Sequence, residues 1–315
     1  MLKAEADKKK KGRKSFYRPK LRWLLPLITL GLGLVIYGAI SLYIASEFTT
    51  GKVHDLGPDT PATYGMSYED ITYKTPDKYQ LTIKGWWIPH PNSDRVIILV
   101  HAKDGTRTFL LPFGYRLWQQ GFNLVMFDTR GQGQSEGSRY SFGWHEKYDV
   151  VGAVNLLKAK GFQPDKIGIV GWSMGAAISL QAMGQTSDIK AGVMESSFGN
   201  LERVVKWRFS RDTHLPLFFY PGVKLAAQWF FDLEVDQTNP EQIFSKLGNR
   251  KVFLIQTEND QEVPVSEYYQ LLKLGGASVA DSWLVTDSEH VRSFQNHPDE
   301  YTQRVVRFFN QQLTS

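Results

Sequence analysis

The chain has 315 residues, 42% of them hydrophobic and 22% charged, enough apolar material for a large core and too much for a disordered polypeptide. It contains no cysteine, which excludes disulfide frameworks, thiolate metal sites and cysteine nucleophiles together and leaves oxygen and nitrogen side chains to carry any chemistry. The formal net charge of +5 is unevenly placed: ten of the 37 Lys and Arg fall within residues 1–22 beside only Glu5 and Asp7, so the rest of the chain is at −3 and is not a basic body built to grip nucleic-acid phosphates.

The basic tail, 1–22, runs directly into Trp23–Ser46, 24 residues without a charge. At about 1.5 Å per residue a helix of that length covers the roughly 30 Å of a bilayer's hydrocarbon, so 23–46 is expected as a transmembrane helix. Pro26, Gly31, Gly33 and Gly38 are tolerated in such a helix, and Trp23, Tyr37 and Tyr43 suit its interfaces. A buried soluble helix is the bland alternative. A cleavable signal peptide also begins basic and then apolar, but its core is about half as long, and Ile44-Ala45-Ser46 lacks a small-x-small cleavage pattern. The excess of Lys and Arg before the span places the tail on the cytoplasmic side of a cell membrane and the remainder across it. Residues 47–65, with Thr49, Thr50, Gly51, Gly57, Pro58 and Pro61, read as a linker.

From residue 66 onward the chain reads as one domain. Two alternating stretches, around 67–74 and 79–88, predict an antiparallel hairpin. Short apolar runs rich in Val and Ile follow at 95–100, 122–127, 166–170, 191–194, 251–255 and 282–285, with helical patterns between them. Runs of that kind predict a mostly parallel central sheet with helices on both faces, an α/β architecture. The interval after 194 is the long one. Residues 198–245 hold Phe198, Trp207, Phe209, Phe218, Phe219, Tyr220, Trp229, Phe230, Phe231 and Phe244, read either as packing filler or as a cap over an apolar pocket.

Gly171-Trp172-Ser173-Met174-Gly175 fits G-x-S-x-G, and its neighbourhood gives the pattern weight. A strand run, 166–170, precedes it and a good helix former, 176–183, follows, so the serine is expected on a sharp strand-to-helix turn. On these residues the chain resembles the α/β-hydrolases, and is most similar to the membrane-associated serine hydrolases of the bud-emergence type and their prokaryotic relatives. The loop from Asp128 to Gly137, DTRGQGQSEG, resembles the family's D-x-R-G-x-G-x-S segment; Asp128 and Arg130 are expected to shape it rather than react.

The resemblance implies a chain order of serine, acid and histidine. A serine hydroxyl needs a base to take its proton and a carboxylate to hold that base in one tautomer. His290, in the loop after the last strand, matches the base's position, ahead of His214 in the long insert and His297 before Pro298. Asp260 matches the acid in a segment like G-x-x-D-x-x-V-P. Glu258 and Glu262 beside it are expected as solvated loop charges, and Glu195, after another strand, is the outside candidate. The oxyanion donors implied are the backbone amides of Met174 and Lys103, the latter in His101-Ala102-Lys103-Asp104-Gly105, with His101 structural and Lys103 and Asp104 a solvated pair. Two departures stand out. Ala102 replaces a usual glycine, which would be strained if the turn there required a positive φ, and Gln256-Thr257 replaces the common His-Gly before the acid.

The expected function is a membrane-anchored serine hydrolase, carboxylesterase-like, cleaving an ester, thioester or amide through an acyl-enzyme, with no metal or organic cofactor and no nucleic-acid partner. The aromatic insert leans towards a lipid-like acyl substrate of medium length. Two alternatives stay open: a hydrolase-fold binding protein that has lost catalysis, motivated by the altered oxyanion loop, and a small peptidase.

Overall fold

Eight strands form one sheet in the order β1-β2-β4-β3-β5-β6-β7-β8, flanked by helices on both faces, which is the α/β-hydrolase fold. The computed structural model describes residues 20–51 and 54–313, without the side chains of 20–23; nearly all of the expected tail, 1–22, lies outside the described residues.

A long helix, α1 (Lys20–Thr49), comes first and has Pro26 within its second turn. Among the described residues it is the helix long and apolar enough to cross a membrane, and it is mostly exposed. It continues past Ser46 to Thr49, so the first residues read as linker are helical. Thr50 bridges Arg139 antiparallel, and further on Pro61 and Met66 are buried against the body.

β1 (Glu69–Lys74) and β2 (Thr82–Ile88) form the expected hairpin. β2 then pairs antiparallel with β4 (Asn123–Phe127). All later pairings are parallel, through β3 (Val96–Val100), β5 (Ile167–Trp172), β6 (Ala191–Glu195), β7 (Lys251–Thr257) and β8 (Val279–Val285). Parallel strands end on the same edge, so the loops after β3, β5, β7 and β8 converge there.

The central strands are buried on both sides because alternate residues feed two cores. Ile98, Val100 and Val125 face α3 (Lys147–Ala159), α4 (Met174–Gln185) and α7 (Val265–Gly275). Ile97, Leu99 and Met126 face α2 (Leu111–Gln119) and α9 (Pro298–Gln312), with the short turn α8 (Ser293–Asn296) between the last strand and α9. Each such side chain contributes roughly 1.5–3 kcal/mol relative to exposure.

The aromatic segment folds over the carboxyl edge as α5 (Leu201–Thr213) and α6 (Tyr220–Phe231). Its inward residues, including Phe198, Phe209 and Tyr220, form a third core that also takes Ala45 of α1.

Candidate active site

β5 ends at Trp172 and α4 begins at Met174, leaving Ser173 alone to turn the chain. It does so at φ 54°, ψ −119°, a conformation that costs a non-glycine residue about 1–3 kcal/mol and that the surrounding packing must hold. Both flanking glycines are required. A Cβ at Gly171 would lie under 3.0 Å from the Gly175 carbonyl, and one at Gly175 under 3.0 Å from the carbonyls of Val100 and His101.

The structure brings together the three residues singled out for the triad. His290 Nε2 is 2.8 Å from Ser173 Oγ, and its Nδ1 is 2.7 Å from Asp260 Oδ2. Asp260 Oδ1 accepts from the amides of Glu262 and Val263, each at 2.8 Å. Burial pushes the Asp260 carboxyl up, but the hydrogen bond and charge of His290, helped by those two amides, hold it below the ordinary carboxylate value. With the carboxylate accepting at Nδ1, the imidazole keeps its proton there and presents the lone pair of Nε2 to the serine.

The residues that depart from the family pattern have work in this arrangement. Gln256 Nε2 donates to Asp260 Oδ2 at 3.0 Å and to the Val263 carbonyl at 3.2 Å, and Thr257 Oγ1 donates to Asp260 Oδ2 at 3.4 Å. Ala102 is not among the residues with positive φ; the left-handed position of this loop falls on Asp104, at 55°. The alanine is therefore unstrained, and the steric concern raised by its sequence does not arise.

Ala102, Lys103 and Met174 line one cavity with Ser173 and His290. Among the described residues, neither the Lys103 nor the Met174 amide is bonded to a protein acceptor, so both are available to an incoming oxyanion. Lys103 Nζ lies 3.6 Å from Asp104. His101 is buried, and desolvation lowers its pKa, keeping it neutral. Its Nε2 accepts from the Thr129 amide at 3.1 Å and its Nδ1 donates to the Ala102 carbonyl at 2.7 Å. Both ring nitrogens are thus occupied in tying the loop down.

The remaining candidates lie elsewhere. Glu195 is buried beneath the site, accepts from the Ser293 amide at 3.2 Å, and is pushed up in pKa by desolvation; Asp260, not Glu195, holds His290. His214 caps α5 in the left-handed region, and His297 pairs with Asp287 at 2.7 Å. Glu262, a loop charge whose side chain is 44% exposed, pairs with Arg208 and lines the cavity. Asp128 accepts from the Arg107 amide at 2.8 Å and pairs with its guanidinium at 3.0 Å. Arg130 is clamped between Asp77 at 2.8 Å and Asp149 at 2.6 Å.

The cavity holds about 790 Å³, and its walls are largely apolar, including Phe109, Phe142, Phe198 and Leu201. Two of its residues, Glu47 and Phe48, come from the last turn of α1. No motif announced them, because they meet the site only through tertiary packing. Among the described residues, no cluster of three His, Asp or Glu side chains is arranged to hold a metal ion.

The comparisons with known proteins agree with this geometry. The chain is 25% identical over 248 residues to the uncharacterized protein YqkD of Bacillus subtilis, covering 77% of this chain and 80% of that one. It is 24% identical over 299 residues to the uncharacterized protein YfhR of Escherichia coli K12, covering 92% and 94%. Among solved structures it is similar to the Pyrococcus furiosus esterase Pf2001, with a TM-score of 0.68 and 26% identity over 85% of this chain and 100% of that one. The family model described as serine aminopeptidase, S33, matches residues 91–313, and with that match over most of its length the chain belongs to this family of α/β-hydrolase-fold serine hydrolases.

Proposed function

We propose that the protein is a membrane-anchored serine hydrolase that cleaves carboxylic esters of medium-length acyl chains, of the bud-emergence type. The observation that carries this reading is the unbroken relay from Asp260 through His290 to Ser173, with spacings of 2.7 and 2.8 Å, opening into an apolar cavity. In this reading Ser173 Oγ attacks the carbonyl carbon as His290 Nε2 takes its proton, and the oxyanion is received by the Met174 and Lys103 amides. The C–O bond to the alcohol then breaks, and the alcohol leaves with the proton held by His290. Water, deprotonated by the same nitrogen, releases the acid and restores Ser173. The chain's own side chains account for every proton in the cycle.

The apolar helix α1, with the basic tail before it, supports a single-pass anchor with the tail cytoplasmic and the hydrolase domain across the membrane. The esterase named among the similar structures supports an ester over an amide. The family description favours a second reading, an exopeptidase, in which an acidic side chain would receive a substrate's amino group. Of the four acids lining the cavity, Asp212 and Glu262 are ion-paired with Arg208 and Asp104 lies beside Lys103, which among the described residues leaves Glu47 of α1 for that role.

A fluorophosphonate probe and a series of p-nitrophenyl esters, run beside aminoacyl p-nitroanilides, test the proposal. It predicts labelling and ester hydrolysis that Ser173→Ala abolishes, with rates peaking above acetyl. Absence of labelling, or hydrolysis unchanged in Ser173→Ala, refutes it. Labelling of intact cells with an impermeant probe tests the sidedness.

A further inference from the structure

The two halves of α1 differ in their surroundings. Leu24–Ile36 is exposed throughout, whereas Tyr37, Ser41, Ala45, Phe48 and Thr49 form a partly or fully buried stripe whose spacing is that of one helix face. That stripe lies along α6. Tyr37 Oη donates to the Phe218 carbonyl at 3.1 Å and accepts from the Gly222 amide at 3.0 Å. Its ring stacks on Phe219 with centroids 5.2 Å apart. A Cβ on Gly222 would come under 3.0 Å from Ser41 and Tyr37, so a residue without a side chain permits the approach. At the other end Arg139 joins the two helices, donating to Thr49 Oγ1 at 2.8 Å and covering the Phe231 ring at 3.9 Å. The helices therefore run parallel, with Phe218 and Gly222 level with Tyr37, and Phe231 level with Thr49.

The bare stretch is too short to span a bilayer by itself. Thirteen residues, Leu24–Ile36, rise about 20 Å against a hydrocarbon thickness of roughly 30 Å. The missing ~10 Å has to come from the next turns of α1, Tyr37–Tyr43, which are already packed against the domain. Whatever the domain presents outward at that level meets lipid.

What it presents is apolar. Pro221, Leu225 and Trp229 are exposed at intervals of four along α6, flanked by Leu217, Phe218 and Phe230. Phe218, Trp229 and Phe230 are 70%, 77% and 66% exposed, a concentration that a surface facing only water does not normally carry. The single charge of α6, Lys224, is tied to Glu202 and Asp236. Trp229 lies near the end of α6 that is level with Thr49, where the apolar run of α1 gives way to Glu47, the depth at which tryptophan prefers a membrane interface. The charges at the end of α5, Arg208, Arg211 and Asp212, are paired among themselves and confine the immersed area to the α6 corner.

We propose that the outward side of α6 and the loop before it are a membrane-contact surface, with Leu217, Phe218 and Leu225 immersed in the leaflet on the domain's side and Trp229 and Phe230 at its headgroup interface. The inference rests on the reading of α1 as a membrane span. It places the mouth of the cavity, which Phe48 of α1 helps to line, at the lipid surface.

The absence of cysteine makes the test direct. Single cysteines replace Val35, Phe218, Leu225, Phe230 and, as a remote control on α9, Gln311 in the full chain, each labelled with bimane and reconstituted into phosphatidylcholine vesicles containing nitroxide-labelled lipid. Circular dichroism checks that each variant is folded, and three positions on the patch guard against the loss of any one. The expected result is loss of fluorescence at 218 and 225, as at 35, with the nitroxide on the acyl chain, and at 230 with the nitroxide on the headgroup, with none at 311. Quenching at 35 alone overturns the proposal and leaves the span standing. No quenching at 35 removes the span and the proposal with it. Label-to-label contact between copies at 230, without lipid quenching there, assigns the patch to a second copy of the chain and likewise overturns the proposal.

Discussion

Replacing Asp260 by Asn isolates the electrostatic part of the triad. The side chain is fully buried, and Asn has the same shape, so the fold should persist. The five hydrogen bonds at the carboxylate determine how Asn sits. Its carbonyl oxygen must take the Oδ1 place, where the amides of Glu262 and Val263 donate at 2.8 Å. Its NH₂ then falls at Oδ2, facing Gln256 Nε2 and His290 Nδ1. A donor at that point drives the imidazole proton from Nδ1 to Nε2, where it points at Ser173 and can no longer accept the serine's proton. A serine protease altered in this way loses about 10⁴ in kcat, or about 5.5 kcal/mol at 1.36 kcal/mol per decade. The same loss is expected here in kcat/KM on a p-nitrophenyl ester, with the melting temperature at neutral pH moved much less. A folded Asp260→Asn protein that loses less than about tenfold would refute the assignment of Asp260 as the group that holds His290. The variant should also change the acid limb of stability. The native Asp260 pKa is depressed, so its contribution is present above the unfolded value and is lost as pH falls through the folded one; Asp260→Asn lacks that decline.

Gly175→Ala forces a methyl group into the carbonyls of Val100 and His101, and should destabilise the protein by about 2–3 kcal/mol in urea titration; an unchanged midpoint would show that the elbow has room to spare. Glu195, whose pKa is raised by burial, takes up a proton on folding, so its contribution to stability declines as pH rises from about 4.5 through the folded value. Glu195→Gln should remove that decline above about pH 4.5, and a variant that tracks the wild type would count against an elevated carboxyl. Phe48→Ala enlarges the cavity at the α1 wall and should lower kcat/KM for medium-chain esters by roughly tenfold, about 1.4 kcal/mol of lost apolar contact, while sparing acetyl esters. Equal losses at every chain length would argue that Phe48 stabilises the fold without touching substrate.

The residues that were legible in sequence are those whose signal is local. β5 and α4 announce themselves on either side of Ser173, because a Val- and Ile-rich run stops at a glycine and a helix former begins at the next. Asp260 and His290 could be located because each sits just beyond a strand, and parallel strands bring their ends to one edge wherever those strands lie in sequence. The order of the sheet is another matter. β4 inserts between β2 and β3, a pairing between distant segments that no run of residues encodes on its own. Gln256 and Thr257 looked like departures from a pattern; their hydrogen bonds to Asp260 depend on a register that only the folded β7 loop supplies. The linker reading of 47–65 took Thr49, Thr50 and Gly51 at face value as turn formers. Their partners, Ser138, Arg139 and Tyr140, lie some ninety residues away, beyond the reach of any local pattern.

Those partners turn the junction between α1 and the body into a stem. The Gly51 amide donates to the Ser138 carbonyl and the Tyr140 amide to the Thr49 carbonyl, each at 2.9 Å, so no slack separates helix from domain. A catalytic domain on a loose leash samples a whole hemisphere of directions, and its local concentration thins as the leash lengthens. A domain on a stem has one height and one tilt, and whatever fixes the free half of α1 also aims the pocket. In the membrane-anchored arrangement proposed above, such a domain would not reach for its substrate; encounters would depend on what drifts sideways into the plane of its mouth.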